Sequence, residues 1–376
     1  MAGMFPLLEL SGDPFDRGRV YGRAAQSRIG LSIETYRRLF SHCGLDWDEV
    51  QAIASRFAGP IRDLDPALYE EIEGIASGCS CRTAEILALN CRSEILPPSF
   101  PDPAERAWLA AVRRSAHIGE CTAIAIQPSR SESGGALLAQ NWDWLGAQRG
   151  ALVLVRARTA RTTYLTLTEA GMLAKIGLNR QGLGVCLNIL RSREDGLAAG
   201  VPVHVLLRRL LECASVGEVE ALVGRLRCGA SSNIVCADAA GAAASFELSP
   251  AGTAVVRAEG GVLCHTNHFL DARLSAMQVA PAESLSSEPR LARARAIAAS
   301  RARLGVADVQ ALLRDESDGY LSICRRPDPR LPWHLRIESV ASVVMELGRG
   351  VMHVAADVPS RCEYTETELE PQPALQ

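Results

Sequence analysis

The chain changes character at Cys121, and that border constrains the fold more than any other feature. Five short apolar runs follow the cysteine: Thr122–Gln127, Ala136–Gln140, Ala151–Arg156, Thr163–Thr168 and Gly184–Ile189. Turn clusters such as Ser131-Glu132-Ser133-Gly134-Gly135 separate them, and no helical stretch intervenes. A parallel pair needs a crossover of roughly a dozen residues or more, so runs this close together are expected to pair antiparallel. Val203–Leu226 then reads as two helices, with Leu206, Leu207, Leu210 and Leu211 at helical spacing. Strands are expected again over Ser232–Ala237, Ala243–Leu248, Thr253–Val256 and Gly261–His265. Helices follow over Pro289–Arg303 and Val306–Arg314, then two closing strands over Val340–Glu346 and Val351–Ala355. The tail past Glu363 is acidic and is expected to be disordered.

Before Cys121 the pattern is helical. A short strand is expected over Phe5–Leu10 and is broken by Gly12-Asp13-Pro14. Val20, Ala24, Ile29, Ile33, Tyr36 and Phe40 recur at helical spacing and predict one helix over Phe15–Phe40. Further helices are expected over Asp46–Phe57, Pro66–Gly78 and Thr83–Glu94, with Asp65-Pro66 a cap and first-turn signal. The breaker Pro97-Pro98-Ser99-Phe100-Pro101-Asp102-Pro103 opens a linker that runs into Cys121. Helix blocks and strand blocks are segregated, which predicts an α+β fold rather than a doubly wound parallel sheet.

Bulk properties narrow the function. The formal net charge is −3 and arginines are dispersed among acids, which argues against nucleic acid as a partner. The N-terminus lacks a charged region and a long apolar run, and no stretch approaches the ~20 apolar residues of a spanning helix, so a soluble cytoplasmic protein with no membrane partner is expected. Of the 12 cysteines most sit singly in apolar segments, as Cys186, Cys213 and Cys236 do, and read as small buried hydrophobes. Cys79-Ser80-Cys81 is too closely spaced for a zinc pair. Gly182-Leu183-Gly184 lacks the rest of a dinucleotide fingerprint. No metal and no organic cofactor is expected.

Chemistry points to Cys121. If the linker is cut between Glu120 and Cys121, the new chain end carries a thiol and an α-amine. An α-amine with a pKa near ~7.7–8.0 can take the thiol proton near neutral pH, so one residue supplies nucleophile and base. The cut can be self-made, through thiol attack on the Glu120 carbonyl. In Asn141-Trp142-Asp143-Trp144, strand alternation puts Asn141 and Asp143 on one face and both indoles on the other, a pattern that fits a lined pocket or, equally, an Asx turn. Asn267, in Cys264-His265-Thr266-Asn267-His268, can offer an amide N–H to a tetrahedral oxyanion. Asn188 is a polar residue inside an apolar strand, and Arg325, beside Arg326, can hold a substrate carboxylate. The residues alone leave two other readings open: an uncleaved, non-enzymatic α+β scaffold, and a metal-dependent hydrolase using Cys264, His265 and His268.

Four pieces in order carry a family resemblance: Ala88-Leu89-Asn90-Cys91-Arg92-Ser93-Glu94-Ile95; Cys121-Thr122 followed by Gln140-Asn141-Trp142-Asp143; Gly177-Leu178-Asn179 with Asn188; and His265-Thr266-Asn267-His268-Phe269-Leu270. Together they resemble the acyl-coenzyme A:6-aminopenicillanic acid acyltransferase family, peptidase family C45, within the N-terminal nucleophile hydrolases. The resemblance implies an αββα sandwich of two antiparallel sheets between helix layers. It implies a precursor that cuts itself into a small helical chain, 1–120, and a large catalytic chain, 121–376, which stay together as one intertwined domain. Cys121 then resembles the nucleophile, Asp143 the orienting acid and Asn267 the oxyanion donor. Trp142, Trp144, Asn141, Asn188 and Arg325 are expected around the substrate. That substrate would be a small-molecule amide or an acyl thioester such as an acyl-coenzyme A, with an amine acceptor. Glu120 stands where the best-known fungal members carry glycine.

Overall fold

The computed structural model describes residues 4–97, 100, 104–105, 121–196, 199–279 and 286–370. After a short strand, β1 (Leu7–Leu10), the N-terminal segment is helical: α1 (Pro14–Ala24), α2 (Gln26–His42), α3 (Trp47–Ser55), α4 (Ala58–Leu64), α5 (Pro66–Cys79), α6 (Thr83–Asn90) and α7 (Arg92–Ile95). From Cys121 come β2 (Cys121–Ile126), β3 (Leu137–Leu145), β4 (Leu152–Arg158), β5 (Thr163–Glu169), β6 (Ile176–Asn179) and β7 (Leu183–Ile189). Helices α8 (Val203–Leu210) and α9 (Val216–Val223) precede β8 (Ser232–Asp238), β9 (Ala243–Ser249), β10 (Gly252–Arg257) and β11 (Val262–His265). The chain ends with α10 (Ala272–Ser275), α11 (Ser287–Ala299), α12 (Val306–Leu313), β12 (Ile337–Glu346), β13 (Val351–Ala355) and β14 (Thr365–Glu368).

The strands form two sheets. One has eight strands in the order β1-β4-β5-β6-β7-β8-β9-β10, the other six in the order β11-β2-β3-β12-β13-β14. Every pair is antiparallel except β1 with β4, which is parallel, the helical segment and the hairpin of β2 and β3 lying between them in the chain. The sheets face each other. Gln140 on β3 receives the Leu187 N–H of β7 at 3.0 Å and donates back to the Leu187 carbonyl. The opposite face of the six-stranded sheet presents Ile124, Ile126, Leu137, Ala139 and Val344 to Leu291, Ala294, Val309 and Leu312 of α11 and α12. Outside the larger sheet, Asn179 reaches the carbonyls that end α8, Leu211 and Cys213, at 3.0 and 2.7 Å. The result is the expected α+β sandwich, with two sheets flanked by helices.

Local sequence explains the helical segment. Asp13 caps α1 by accepting from the Asp16 N–H at 2.9 Å, with Pro14 in the first turn, and Asp65-Pro66 opens α5 in the same way. Helices α1 and α5 then pack backbone on backbone. A Cβ added at Gly18 would stand 2.1 Å from the Glu71 carbonyl, and one at Gly74 2.1 Å from the Phe15 carbonyl. Only glycine permits that approach.

Three expectations are corrected. The helix over 15–40 is two helices, broken at Ala25, whose ψ of 12° leaves the helical range. Helix α4 was not anticipated. The tail past Glu363 is not disordered throughout, because β14 pairs along β13 and covers what would otherwise be a bare sheet edge.

Candidate active site

Cys121 is the first residue of β2 and is only 1% exposed. Its register partner is Trp142 on β3, so the two side chains leave the same face of the sheet. That face is the one turned toward the larger sheet, where Ala123, Ala125, Leu138 and Trp142 also pack. Asn141 and Asp143 leave the other face. Alternation therefore holds along β3, and it takes their side chains away from the indoles rather than into a shared pocket with them. No Asx turn forms, because β3 runs as a strand to Leu145.

The nitrogen of Cys121 has a side-chain acceptor. Its N–H donates to Asn267 Oδ1 at 2.7 Å. Arg290, buried on α11, donates to the same oxygen at 3.0 Å, to the Cys121 carbonyl at 2.8 Å and to Thr122 Oγ1 at 2.9 Å. With two donors on Oδ1, the amide orientation of Asn267 is fixed by its partners. Its Nδ2 donates to the Ile189 carbonyl at 3.0 Å. Asn267 thus stands at Cys121, with its side-chain oxygen turned to the Cys121 nitrogen.

The loop that carries Asn267 is held from below. His265 Nε2 and the Glu247 carboxylate meet at 2.8 Å, both fully buried. Glu247 also accepts the N–H groups of Leu270 and Asp271 at 2.6 and 3.0 Å. Ser287 Oγ accepts the Asn267 N–H at 2.8 Å and lies 2.7 Å from His268 Nδ1. Burial and the neighbouring His265 hold His268 low, at about 4. These bonds also answer the metal-hydrolase alternative: His265 and His268 turn to different partners, and Cys264 packs with the outer core. Among the described residues the converging trio of possible metal ligands is His42, Glu105 and His334. There both imidazoles bond one Glu105 oxygen, at 3.1 and 2.8 Å, joining α2 to the segment before β12.

Asp143 is fully buried. Its Oδ1 accepts from Ser339 Oγ at 2.6 Å, and Oδ2 lies 3.8 Å from Arg325 Nε. Arg325, placed by sequence as a substrate ligand, is thus a neighbour of Asp143. Burial pushes the Cys121 thiol above its usual range; the charge of Lys175, the Asp143 N–H and the Gln140 side chain pull it back, and the Asp143 carboxylate adds to the rise.

The remaining sequence candidates hold parts of the fold together. Asn141 donates to the Leu313 and Ile323 carbonyls at 2.8 and 3.1 Å and ties α12 to β3. Trp144 donates to Tyr36 Oη at 2.9 Å, beneath the Arg92 guanidinium. Asn188 reaches the His265 carbonyl at 3.4 Å and accepts from Asn233 at 3.1 Å. Glu120 lies outside the described residues. Arg290 and Lys175 were missed in the sequence. A lone arginine in an Ala-Arg repeat and a lone lysine in a loop carry no local signal; only the fold buries them beside Cys121.

No described helix is long and apolar enough to cross a membrane. Among solved structures, the fold is similar to penicillin V acylase from Agrobacterium tumefaciens, at 16% identity and a TM-score of 0.43 over 63% of this chain and 83% of that one. It is also similar to a C2A mutant of conjugated bile acid hydrolase from Clostridium perfringens, at 12% identity and a TM-score of 0.42 over 66% of this chain and 96% of that one. In sequence, the chain is 30% identical over 270 residues to the 40 kDa form of acyl-coenzyme A:6-aminopenicillanic-acid-acyltransferase of Emericella nidulans, covering 69% of this chain and 68% of that protein. The model of the acyl-coenzyme A:6-aminopenicillanic acid acyl-transferase family matches residues 130–340, more than half of the chain, which therefore belongs to that family.

Proposed function

We propose that this protein is a self-processing cysteine enzyme that moves acyl groups through a thioester on Cys121. The observation that carries the reading is the side-chain acceptor held at the Cys121 nitrogen, Asn267 Oδ1 at 2.7 Å. In the continuous chain that nitrogen is a peptide N–H. After cleavage it is an α-amine already oriented beside its own thiol.

The first reaction is internal. The thiol attacks the Glu120 carbonyl, a C–S bond forms, the C–N bond breaks, and the Cys121 nitrogen takes the proton. Water then opens the thioester, which leaves a Glu120 carboxylate and a free thiol. In turnover the α-amine accepts the thiol proton while sulfur attacks an amide or thioester carbonyl, and the protonated amine returns a proton to the leaving group. Water or an acceptor amine then releases the acyl group. Arg290 holds the Cys121 carbonyl and Asn267, while Asp143 presents its N–H toward the sulfur. The names of the relatives suggest acyl-coenzyme A thioesters as donors and an amine as acceptor.

Intact-mass spectra of the purified wild type and a Cys121→Ala variant test this. The wild type should give two chains that break before Cys121, and the variant one full-length mass. A wild type that stays whole would overturn the reading. Supplying an acyl-coenzyme A with and without an amine then separates transfer from hydrolysis.

A further inference from the structure

Lys175, in the loop between β5 and β6, is 2% exposed. Among the described residues no carboxylate lies within ion-pair distance of its ammonium. Its Nζ stands 4.3 Å from the centre of the Trp142 ring. Because Trp142 is the cross-strand partner of Cys121, the ammonium shares the inter-sheet space with the thiol. Burying an ammonium without an anion is costly, so its surroundings should supply one.

The charged and titratable groups facing Lys175 are few. Arg92 and Glu169 pair with each other at 3.1 Å and largely cancel. His204, held far below its usual range by burial, stays neutral. The Cys121 thiol is the acid left over. Around that thiol stand the Asp143 carboxylate and the Cys186 thiol, which burial keeps protonated. Lys175 is the cation that acts on the sulfur from this side.

We propose that Lys175 is the counter-cation of the Cys121 thiolate, a positioning charge that acts across the face of Trp142. This rests on reading Cys121 as the nucleophile. In the uncut chain the thiol proton leaves by way of solvent, from which the Cys121 nitrogen takes one as the C–N bond breaks; after the cut it goes to the α-amine. In both states the negative sulfur faces the same ammonium. The role matters most before cleavage, when Cys121 has no free amine of its own.

The helical segment holds this charge in place. Asn90 donates to the Gly171 carbonyl at 2.9 Å and accepts the Leu173 N–H at 3.0 Å. Tyr21 Oη donates to the Met172 carbonyl at 3.0 Å and accepts from the Gly171 N–H at 3.2 Å. Residues ahead of the cleavage point therefore fix the loop that carries Lys175. Burial and Arg92 lower its ammonium to about 8, so it is still charged at neutral pH.

The test is the pH dependence of Cys121 alkylation by iodoacetamide, read by peptide mass mapping, in the full-length expressed protein. Wild type, Lys175→Met and Lys175→Arg are compared, with circular dichroism as the folding control. Losing a nearby opposite charge moves a pKa by roughly 1–3 units, so the methionine variant should need a pH at least about one unit higher for the same rate. At fixed pH on the acid limb that is at least about a tenfold loss. Arginine should keep the wild-type midpoint. An unchanged midpoint in the methionine variant would overturn the proposal, and so would equal shifts in both variants, since packing rather than charge would then be responsible. If the methionine variant does not fold, Lys175→Gln takes its place with the same readings. Intact mass, taken first, separates the two failures: an uncut wild type sinks self-processing, whereas the alkylation midpoint judges Lys175 alone.

Discussion

Two buried cations flank Cys121, and they differ in what they touch. Arg290 donates to the Cys121 carbonyl, Thr122 Oγ1 and Asn267 Oδ1, at 2.8, 2.9 and 3.0 Å. Lys175 faces an aromatic ring and the thiol. The first cation is satisfied by geometry and makes the strand start rigid. The second is satisfied only when the sulfur is charged. A buried charge with hydrogen-bond partners supports the fold, while one that waits for an anion costs stability in exchange for chemistry.

Removing each cation in turn should separate the two roles. Arg290→Met leaves three buried acceptors without this donor, at about 1–3 kcal/mol for each one left unsatisfied. Urea melts should show a loss of at least about 3 kcal/mol; a loss below about 1 kcal/mol would mean that the strand start does not depend on Arg290. Lys175→Met should do the opposite at neutral pH. The ammonium falls from its ordinary value of 10.5 to about 8 in the fold, a penalty on the order of 3 kcal/mol. The sign follows from proton counting. Between pH 8 and 10.5 the unfolded chain holds this proton and the folded one does not, so wild-type stability rises with pH across that window. The penalty is full below about 8 and is gone above 10.5. The variant should therefore melt higher than wild type at pH 7, with the gap closing by pH 10. A gap that stays constant over that range would remove charge as the explanation.

Smaller effects sharpen the picture. Asn90→Ala cuts the clamp on the Lys175 loop and should cost about 1–3 kcal/mol, with faster amide exchange at Leu173 as the local readout. Unchanged exchange would show that Tyr21 holds the loop unaided. Ser339→Ala removes one hydrogen bond to Asp143 and should cost about 1 kcal/mol while leaving the Cys121 alkylation midpoint close to wild type. A large shift of that midpoint would give Asp143 a stronger electrostatic hold on the thiol than its outward-facing carboxylate suggests.

Much of the scaffold was legible because it is written in short-range patterns. Strand runs and turn clusters between them predicted antiparallel pairing from Thr122 to Ile189, though β2 and β3 join one sheet and β4 to β7 the other, and Asp65-Pro66 marked the start of α5. What failed locally failed for a physical reason. The break at Ala25 has no glycine or proline to announce it. Thr365–Glu368 reads as a solvated acidic tail, and it becomes a strand only because β13 presents an unpaired edge. At the site, Cys121, Asp143 and Asn267 were named in advance, with the Asn267 amide N–H as an oxyanion donor, but its oxygen as an acceptor for the Cys121 nitrogen was not. Asn267 turns its oxygen to Cys121 because Arg290 and the Cys121 N–H both donate there.

The class of fold, the border at Cys121 and the residue types able to work there can be read from the chain alone. Those follow from periodicity, turn chemistry and the placement of a thiol after a breakable linker. Which charges surround the thiol is set by the folded arrangement. Burial and charge pairing depend on residues far apart in the chain, and Lys175, Trp142, Arg290 and Asn267 become neighbours of Cys121 only when two sheets and a helix close over it.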